Sequence, residues 1–177
     1  HERTVVRLPC SVLPALLPMP QPAFFGTLPA VDSKAPPLRY VRTDRVDASL
    51  ADHLGHVVVL LMFPSVDTST CALETRTFNQ LATGLGAHVL AVTADLPFAL
   101  KRFCAAEGIE NVIPGSDFRF RDADGWGTRI AEGNLNGTLG RVTFVIDKEG
   151  IIRYVEVAPT LGSEPDYDAA LAAAKSL

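Results

Sequence analysis

The apolar stretch Val57-Val-Val-Leu-Leu-Met-Phe63 decides the fold of this chain. Seven consecutive apolar residues, three of them β-branched, are typical of a strand that is buried on both faces of an α/β sheet. The stretch Pro64-Ser-Val-Asp-Thr-Ser-Thr-Cys71 follows it directly, and helical spacing begins after the cysteine. We predict a helix here, with Leu73, Phe78 and Leu81 sharing one side of it.

Cys71 therefore lies where a strand turns into a helix. The unpaired backbone N–H groups and the positive end of the helix dipole favour an anion at that point, and the thiolate is the nucleophilic form of cysteine. Thr68 lies three residues earlier, within reach of a tight turn, and its hydroxyl can donate to a thiolate. Pro64 fixes the chain as it leaves the strand. A lone cysteine is most often an inert core residue, but these neighbours favour a reactive one.

The rest of the chain continues the alternation of strands and helices. Gly84-Leu-Gly86 marks a turn before a second buried strand, and Asp95 and Pro97 are predicted to cap the next helix. A short strand, a long irregular stretch, a β-hairpin and an Ala-rich helix follow at 112–114, 115–140, 142–157 and 166–177. This order predicts a thioredoxin-like α/β fold, a central mixed sheet flanked by helices, in one domain over residues 1–177. We expect residues 1–25 to form a divergent, proline-rich extension or hairpin, and we assign no role to Cys10.

Composition excludes several classes of function. A net charge of −4 and a pI near 5.5 argue against nucleic acid or an anionic membrane as partners. The apolar runs are too short to span a bilayer, so we expect a soluble, cytoplasmic protein. Three cysteines without a Cys-x-x-Cys pair indicate a reducing compartment rather than a disulfide scaffold. His53 and His56 are predicted to be surface residues and His88 the start of a strand, so we expect neither metal nor cofactor.

Cys104 lies on the next predicted helix. Considered alone, it is more often a partly buried core residue. Cys71 changes that interpretation, because a thiolate oxidised to a sulfenic acid needs a second thiol to avoid irreversible over-oxidation. Cys104 is therefore a candidate resolving thiol.

Several segments resemble the thiol peroxidases, the atypical two-cysteine branch of the peroxiredoxins. The spacing Pro64-x-x-x-Thr68-x-x-Cys71 is the active-site motif of peroxiredoxins. The resemblance extends from about Gly26 to the C-terminus. The sequence of the loop 117–132 departs from the usual family pattern. The segments most similar to this branch lie at 63–71, 94–99, 102–108, 140–147 and 163–171.

The resemblance implies a role for each matching residue. Cys71 matches the peroxidatic cysteine, Cys104 the resolving cysteine and Arg141 the active-site arginine, with Thr68 and Pro64 completing the motif. It implies reduction of hydrogen peroxide and organic hydroperoxides through a Cys71 sulfenate and an intrachain Cys71–Cys104 disulfide. It further implies recycling by thioredoxin or a similar dithiol, and a homodimer. Because the Cα atoms of two bonded cysteines must come within about 7 Å, we also predict local unwinding around one or both cysteines on oxidation.

Three alternatives remain open at this point. A cysteine hydrolase needs a histidine and an orienting Asn or Asp near Cys71, and the four histidines are poorly placed for that. A thioredoxin-like binding or chaperone domain leaves Thr68, Arg141 and Cys104 without a shared purpose. A close enzymatic rival is another peroxiredoxin branch, with one cysteine or two, which the sequence around Cys104 disfavours.

Overall fold

A seven-stranded mixed sheet runs through residues 21–177, the part of the chain that the computed structural model describes. The strands follow the order β2-β1-β5-β4-β3-β6-β7 across the sheet. Their bounds are β1 Arg39–Val41, β2 Asp47–Ser49, β3 Val58–Met62, β4 His88–Thr93, β5 Val112–Ser116, β6 Val142–Ile146 and β7 Ile152–Val157. The α-helices are α1 Ser69–Leu81, α2 Pro97–Glu107 and α3 Tyr167–Lys175, and short 3-10 helices cover Leu50–His53 and Asp122–Trp126.

The predicted central strand is β3, and all five of its residues are buried. It pairs in parallel with β4 and antiparallel with β6, and β4 pairs in parallel with β5. Successive side chains of β3 point to opposite faces of the sheet, and each face has its own core. Val59 and Leu61 pack with residues of all three α-helices, whereas Leu60 packs on the other face with Trp126 of the second 3-10 helix. The apolar run is explained by this burial on both faces.

Helix α1 presents a different face to the core from the one predicted. Phe78 is buried as expected, but Leu73 and Leu81 are 41% and 36% exposed. The buried side consists of Cys71, Glu74, Thr75 and Phe78, which follow one another at helical spacing. Leu73 lies two residues beyond Cys71, roughly 200° around the helix axis, so burying the cysteine turns this leucine outward.

The ends of the other helices partly match the prediction. Pro97 is the first residue of α2, where its missing N–H costs little, but Leu96 occupies the N-cap position and no side chain caps this helix. Asp95, predicted to be a cap, instead bonds to the loop that follows β3. Gly108 ends α2 in the left-handed conformation that glycine adopts readily. Asp166 caps α3 through its side chain.

Two predictions concern residues outside the described range. Cys10 and most of the predicted extension or hairpin over residues 1–25 lie there, and the prediction of one domain over residues 1–177 stays a prediction. Within residues 21–177, no helix is both long enough and apolar enough to span a membrane.

Candidate active site

Cys71 and Arg141 meet because of the register between β3 and β6. Met62, the last residue of β3, pairs with Val142, the first residue of β6. Arg141 therefore lies at the edge of the sheet where the chain leaves β3 and enters α1. Its Nη2 donates to Cys71 Sγ at 3.2 Å. The cysteine is fully buried, and Arg141 is only 1% exposed, so this contact is protected from solvent.

Thr68 forms the N-cap of α1. Its Oγ1 accepts a hydrogen bond from the Cys71 N–H at 3.3 Å and donates to the Ser65 carbonyl at 3.2 Å. The hydroxyl thus fixes the turn that carries the cysteine, and a bond from it to the thiolate requires rotation away from Ser65. Pro64 is buried at the exit of β3. Thr68 and Pro64 therefore both border the loop that ends at Cys71.

Arg141 has a partner for each part of its guanidinium. Nη1 forms an ion pair with Glu74 Oε2, while Nε and Nη2 donate to the Leu161 carbonyl at 3.1 and 2.7 Å. Burial lowers the pKa of Arg141, but its interactions with Glu74 and Cys71 outweigh burial and raise it above its usual value. Arg141 is therefore a fixed cation whose plane is set by three neighbours.

Glu74 is a site residue that the sequence reasoning missed. It is fully buried, and its Oε1 is the one buried side-chain polar atom of residues 21–177 that lacks a hydrogen-bond partner. Burial raises the pKa of Glu74 to about 7, against the opposing effect of Arg141. The available signal is the spacing, because a residue three positions after Cys71 shares its face of the helix.

Gln21 was also missed, and it fixes the main chain at Arg141. The Gln21 Oε1 accepts from the Arg141 N–H at 2.8 Å, while its Nε2 donates to the carbonyls of Arg141 and Ala158 at 2.8 and 2.5 Å. The ring of Phe24 packs against Gly140, the residue before Arg141. A Cβ at Gly140 would lie 2.3 Å from this ring. The segment that begins at Gln21 thus holds the start of β6 in place.

Asp95 connects the loop before Cys71 to the end of β4. Its carboxylate accepts hydrogen bonds from Ser65 Oγ at 2.7 Å, the Val66 N–H at 2.9 Å and Thr93 Oγ1 at 2.8 Å. The next residues begin α2, which carries Cys104. Asp95 therefore links the loop before Cys71 to the segment that leads into α2, the helix of Cys104.

Cys104 is a free thiol on α2, half-buried against the core that contains Cys71. Burial raises the pKa of the Cys104 thiol. Polar contacts join the two cysteine-bearing helices, and the residues that flank them, at their outer surface. They comprise the ion pairs Asp67–Arg102 at 2.7 Å and Arg76–Glu107 at 2.9 Å, and hydrogen bonds from Glu110 N and Asn111 N to Asn79 Oδ1 at 3.0 and 2.7 Å.

The three histidines of residues 21–177 form a cluster away from this site, and the prediction for His53 was wrong. His53 is 8% exposed, because its ring lies between Tyr40 and His88. The Tyr40 hydroxyl is 2.9 Å from its Nε2, and His88 Nδ1 is 2.9 Å from its Nδ1. His56 is exposed as predicted and stacks on His88. Residues 21–177 contain no group of three or more His, Cys, Asp or Glu side chains arranged to hold a metal ion.

Comparison with known proteins agrees with the fold and identifies the family of this chain. Residues 30–171 match the protein family described as Redoxin. A thiol peroxidase of Leptospira interrogans is 44% identical over 155 residues, covering 85% of this chain and 91% of that protein. A thiol peroxidase of Mycobacterium tuberculosis is 47% identical over 148 residues, covering 84% and 90%.

Solved structures give the same result. The crystal structure of a peroxiredoxin-like protein from Aquifex aeolicus superposes with a TM-score of 0.83 at 40% identity, covering 86% of this chain and 90% of that one. The chain belongs to the redoxin family, within its thiol peroxidase branch. The predictions of a thioredoxin-like fold and of a peroxiredoxin-type peroxidase, an oxidoreductase, are confirmed.

Proposed function

We propose that Cys71 is the thiol with which this peroxidase reduces hydroperoxides. The observation that carries the proposal is the 3.2 Å contact between Cys71 Sγ and Arg141 Nη2 in a fully buried site. A thiolate there has a fixed cation beside it and the N-terminus of α1 behind it, and both favour the anion. The cysteine hydrolase alternative loses support, because the histidines of the described residues cluster with Tyr40 rather than with Cys71.

The proposed first step is attack of the Cys71 thiolate on the outer oxygen of the peroxide. An S–O bond forms, the O–O bond breaks, and the leaving alkoxide takes up a proton to give an alcohol, or water from hydrogen peroxide. Arg141 stabilises the charge that moves from sulphur to the leaving oxygen. Thr68 and Pro64 hold the loop in position and limit the access of water. Because Cys71 is fully buried, entry of the peroxide requires a local opening of this loop.

The proposed second step joins the two cysteines. The Cys71 sulfenic acid condenses with the Cys104 thiol, releasing water and forming an intrachain disulfide. Thioredoxin or a similar dithiol then reduces that disulfide by exchange, which fits a reducing compartment such as the cytoplasm. A raised pKa keeps Cys104 a protonated, weakly reactive thiol while it is buried.

A conformational change accompanies this step. Cys104 lies within α2, and disulfide formation requires the two Cα atoms to approach within about 7 Å. We propose that one or both cysteine-bearing helices unwind locally on oxidation. Hydrogen exchange measured on the reduced and oxidised forms tests this, because equal protection of both helices in the two forms contradicts it.

We also propose that the protein forms a homodimer. Three large apolar side chains are exposed near the carboxyl ends of β4 and β5, which lie at the same edge of the sheet. They are Leu96, Phe98 and Phe118, at 50%, 64% and 43% exposed. Exposed apolar residues grouped in this way favour a protein interface. Sedimentation of the wild type and of Phe98→Asp tests the proposal, since a monomeric wild type contradicts it.

A non-reducing peptide map tests the catalytic proposal directly. Fully reduced protein is treated with one equivalent of an organic hydroperoxide, and the Cys71→Ser variant serves as the control. We expect a Cys71–Cys104 link in the wild type and none in the variant. A Cys71 sulfenic or sulfinic acid with Cys104 free would instead indicate a one-cysteine peroxiredoxin. An unreactive Cys71 would overturn the proposal.

A further inference from the structure

We propose that Glu74 holds the proton that Cys71 releases, so that the two side chains share one negative charge beside Arg141. The proposal deepens the function above and rests on Cys71 as the reacting thiol. Glu74 is a positioning residue here, because it acts through the guanidinium rather than on the peroxide.

Both acidic groups contact the same guanidinium. Cys71 Sγ lies 3.2 Å from Nη2, and Glu74 Oε2 pairs with Nη1 of the same group. The remaining contacts of Nε and Nη2 go to the neutral carbonyl of Leu161. Cys71 and Glu74 are fully buried and Arg141 is almost so. The site therefore offers one positive charge to two groups that can each become negative.

The count of charges favours a single anion. If Cys71 and Glu74 ionise together, a net negative charge remains in a site without solvent, and burial of an uncompensated charge is costly. Glu74 Oε1 has no hydrogen-bond donor, so the carboxylate form leaves an accepting oxygen unsatisfied. Two acids that interact this strongly lose their protons in two coupled steps. The ionisation of one should therefore retain the proton on the other.

Burial and the carboxylates around Glu74 also favour its protonated form, against the opposing effect of Arg141. Burial is the largest effect on its pKa, which is raised to about 7, and two further carboxylates add to it. The titratable and charged groups that face Glu74 are Cys71 on its own helix, Arg141 before β6, Glu156 on β7, Glu164 in the loop before α3, and Tyr167 on α3. Arg141 is the one cation among them. Its effect does not outweigh burial, so the pKa of Glu74 lies within the physiological pH range.

This arrangement gives the proton a place in the reaction cycle. When Cys71 ionises, its proton resides on Glu74, and Arg141 is left to the thiolate and the incoming peroxide. When the thiolate has become a neutral sulfenic acid, Arg141 again stabilises the Glu74 carboxylate. The proton that Glu74 then gives up balances the one that the leaving alkoxide takes up. The sum is one thiol and one hydroperoxide converted to one sulfenic acid and one alcohol.

Infrared spectroscopy of the reduced protein tests the sharing without any peroxide. The carbonyl band of the protonated Glu74 carboxyl group is assigned by its loss in Glu74→Gln and followed with pH. In Cys71→Ser no thiolate competes for Arg141, so we expect the midpoint of this band to move to lower pH by about one unit or more, a tenfold effect. Glu149→Gln, an exposed residue in the β6–β7 turn, should leave the midpoint unchanged.

A second measurement covers the cysteine. Alkylation of Cys71 is followed against pH in a Cys104→Ser background, where we expect the rise in rate to occur at lower pH in Glu74→Gln than with Glu74 present. An unchanged Glu74 midpoint in Cys71→Ser, or an alkylation profile that Glu74→Gln does not move, would overturn the proposal. Both experiments are independent of turnover. A shared proton in a protein that fails to reduce peroxide would therefore overturn the proposed function and leave this inference standing.

Discussion

Arg141 is the residue on which the geometry of the site depends most. Its planar guanidinium contacts a thiol, a carboxylate and a main-chain carbonyl at once, in a place almost closed to solvent. A lysine ammonium carries the same charge as a point and cannot reproduce this fork of donors. The shape of the side chain, and not only its charge, is therefore required.

We expect Arg141→Lys to lower kcat/KM for an organic hydroperoxide by a factor of about 10² to 10³, the usual cost of removing one preorganised donor to a developing charge. Peroxide consumption coupled to a dithiol reductant measures it. Arg153→Lys is the control, because Arg153 pairs with Asp147 and Asp32 outside the site. Near-normal turnover by Arg141→Lys would contradict the proposed role.

Thr68 gives a prediction about stability. Thr68→Val removes the oxygen that accepts the Cys71 N–H, and the loss of such a cap costs about 1 kcal/mol in the free energy of unfolding. Thr68→Ser retains the hydroxyl and should stay close to the wild type. Urea denaturation of the three proteins tests this, and equal stability of the Val and Ser variants would speak against the capping role.

At the scale of elements, Asp95 joins the loop after β3 to the end of β4. Asp95→Asn exchanges one accepting oxygen for an NH₂ group, so the Val66 N–H or a hydroxyl loses its acceptor. We expect a loss of about 1–3 kcal/mol in the free energy of unfolding, together with reduced turnover as the Cys71 loop loosens. Denaturation and peroxide assays on this variant and on the exposed Asp168→Asn of α3 measure both, and equal behaviour of the two would contradict the assignment.

The elements differ in how far the sequence predicts them. The strand at 58–62 and the hairpin at 142–157 were predictable, because burial on two faces and alternation are local patterns. The motif from Pro64 to Cys71 was likewise predictable, because the spacing of its residues is visible in the sequence. Leu73 and Leu81 predict the wrong side of α1 for burial, because the core there contains a cysteine and a glutamate paired with Arg141.

Residues whose roles depend on distant partners were harder to predict. Glu74 resembles an ordinary helix-surface charge until the register of β6 brings Arg141 to it. Gln21 is separated by 120 positions from the main chain that it holds. His53 ends a short 3-10 helix and is buried because β1 and β4 bring Tyr40 and His88 against its ring. No local pattern in the sequence indicates these pairings.

At the scale of the whole molecule, the histidine cluster should make stability depend on pH. Burial and the neighbouring His88 lower the pKa of His53, and burial and His56 lower that of His88. Below about pH 6.5 the unfolded chain therefore binds more protons than the folded one. This contribution to stability is complete above that pH and is lost as the pH falls below it.

We expect His53→Asn and His88→Asn to flatten the pH dependence of the free energy of unfolding on the acid side. Urea denaturation from about pH 5 to about pH 8 measures it. Glu74 has the opposite sign, because its raised pKa lets the folded state retain a proton until about pH 7. Comparison of each variant with the wild type removes that shared term. Parallel curves for all three proteins would contradict the prediction.

The ion pair Arg76–Glu107 joins the two cysteine-bearing helices at an exposed surface, and Asp67–Arg102 joins the loop before α1 to α2 there. Dissolved ions screen exposed charges, whereas the buried contact between Cys71 and Arg141 is protected from them. Ionic strength should therefore act on the two halves of the cycle unequally. We expect added salt to leave sulfenic acid formation almost unchanged and to speed disulfide closure a few-fold, because each exposed pair contributes little by itself. Rapid-mixing kinetics at low and high salt would separate the two rates, and the salt content of the surroundings would then influence how long the oxidised cysteine waits for its partner.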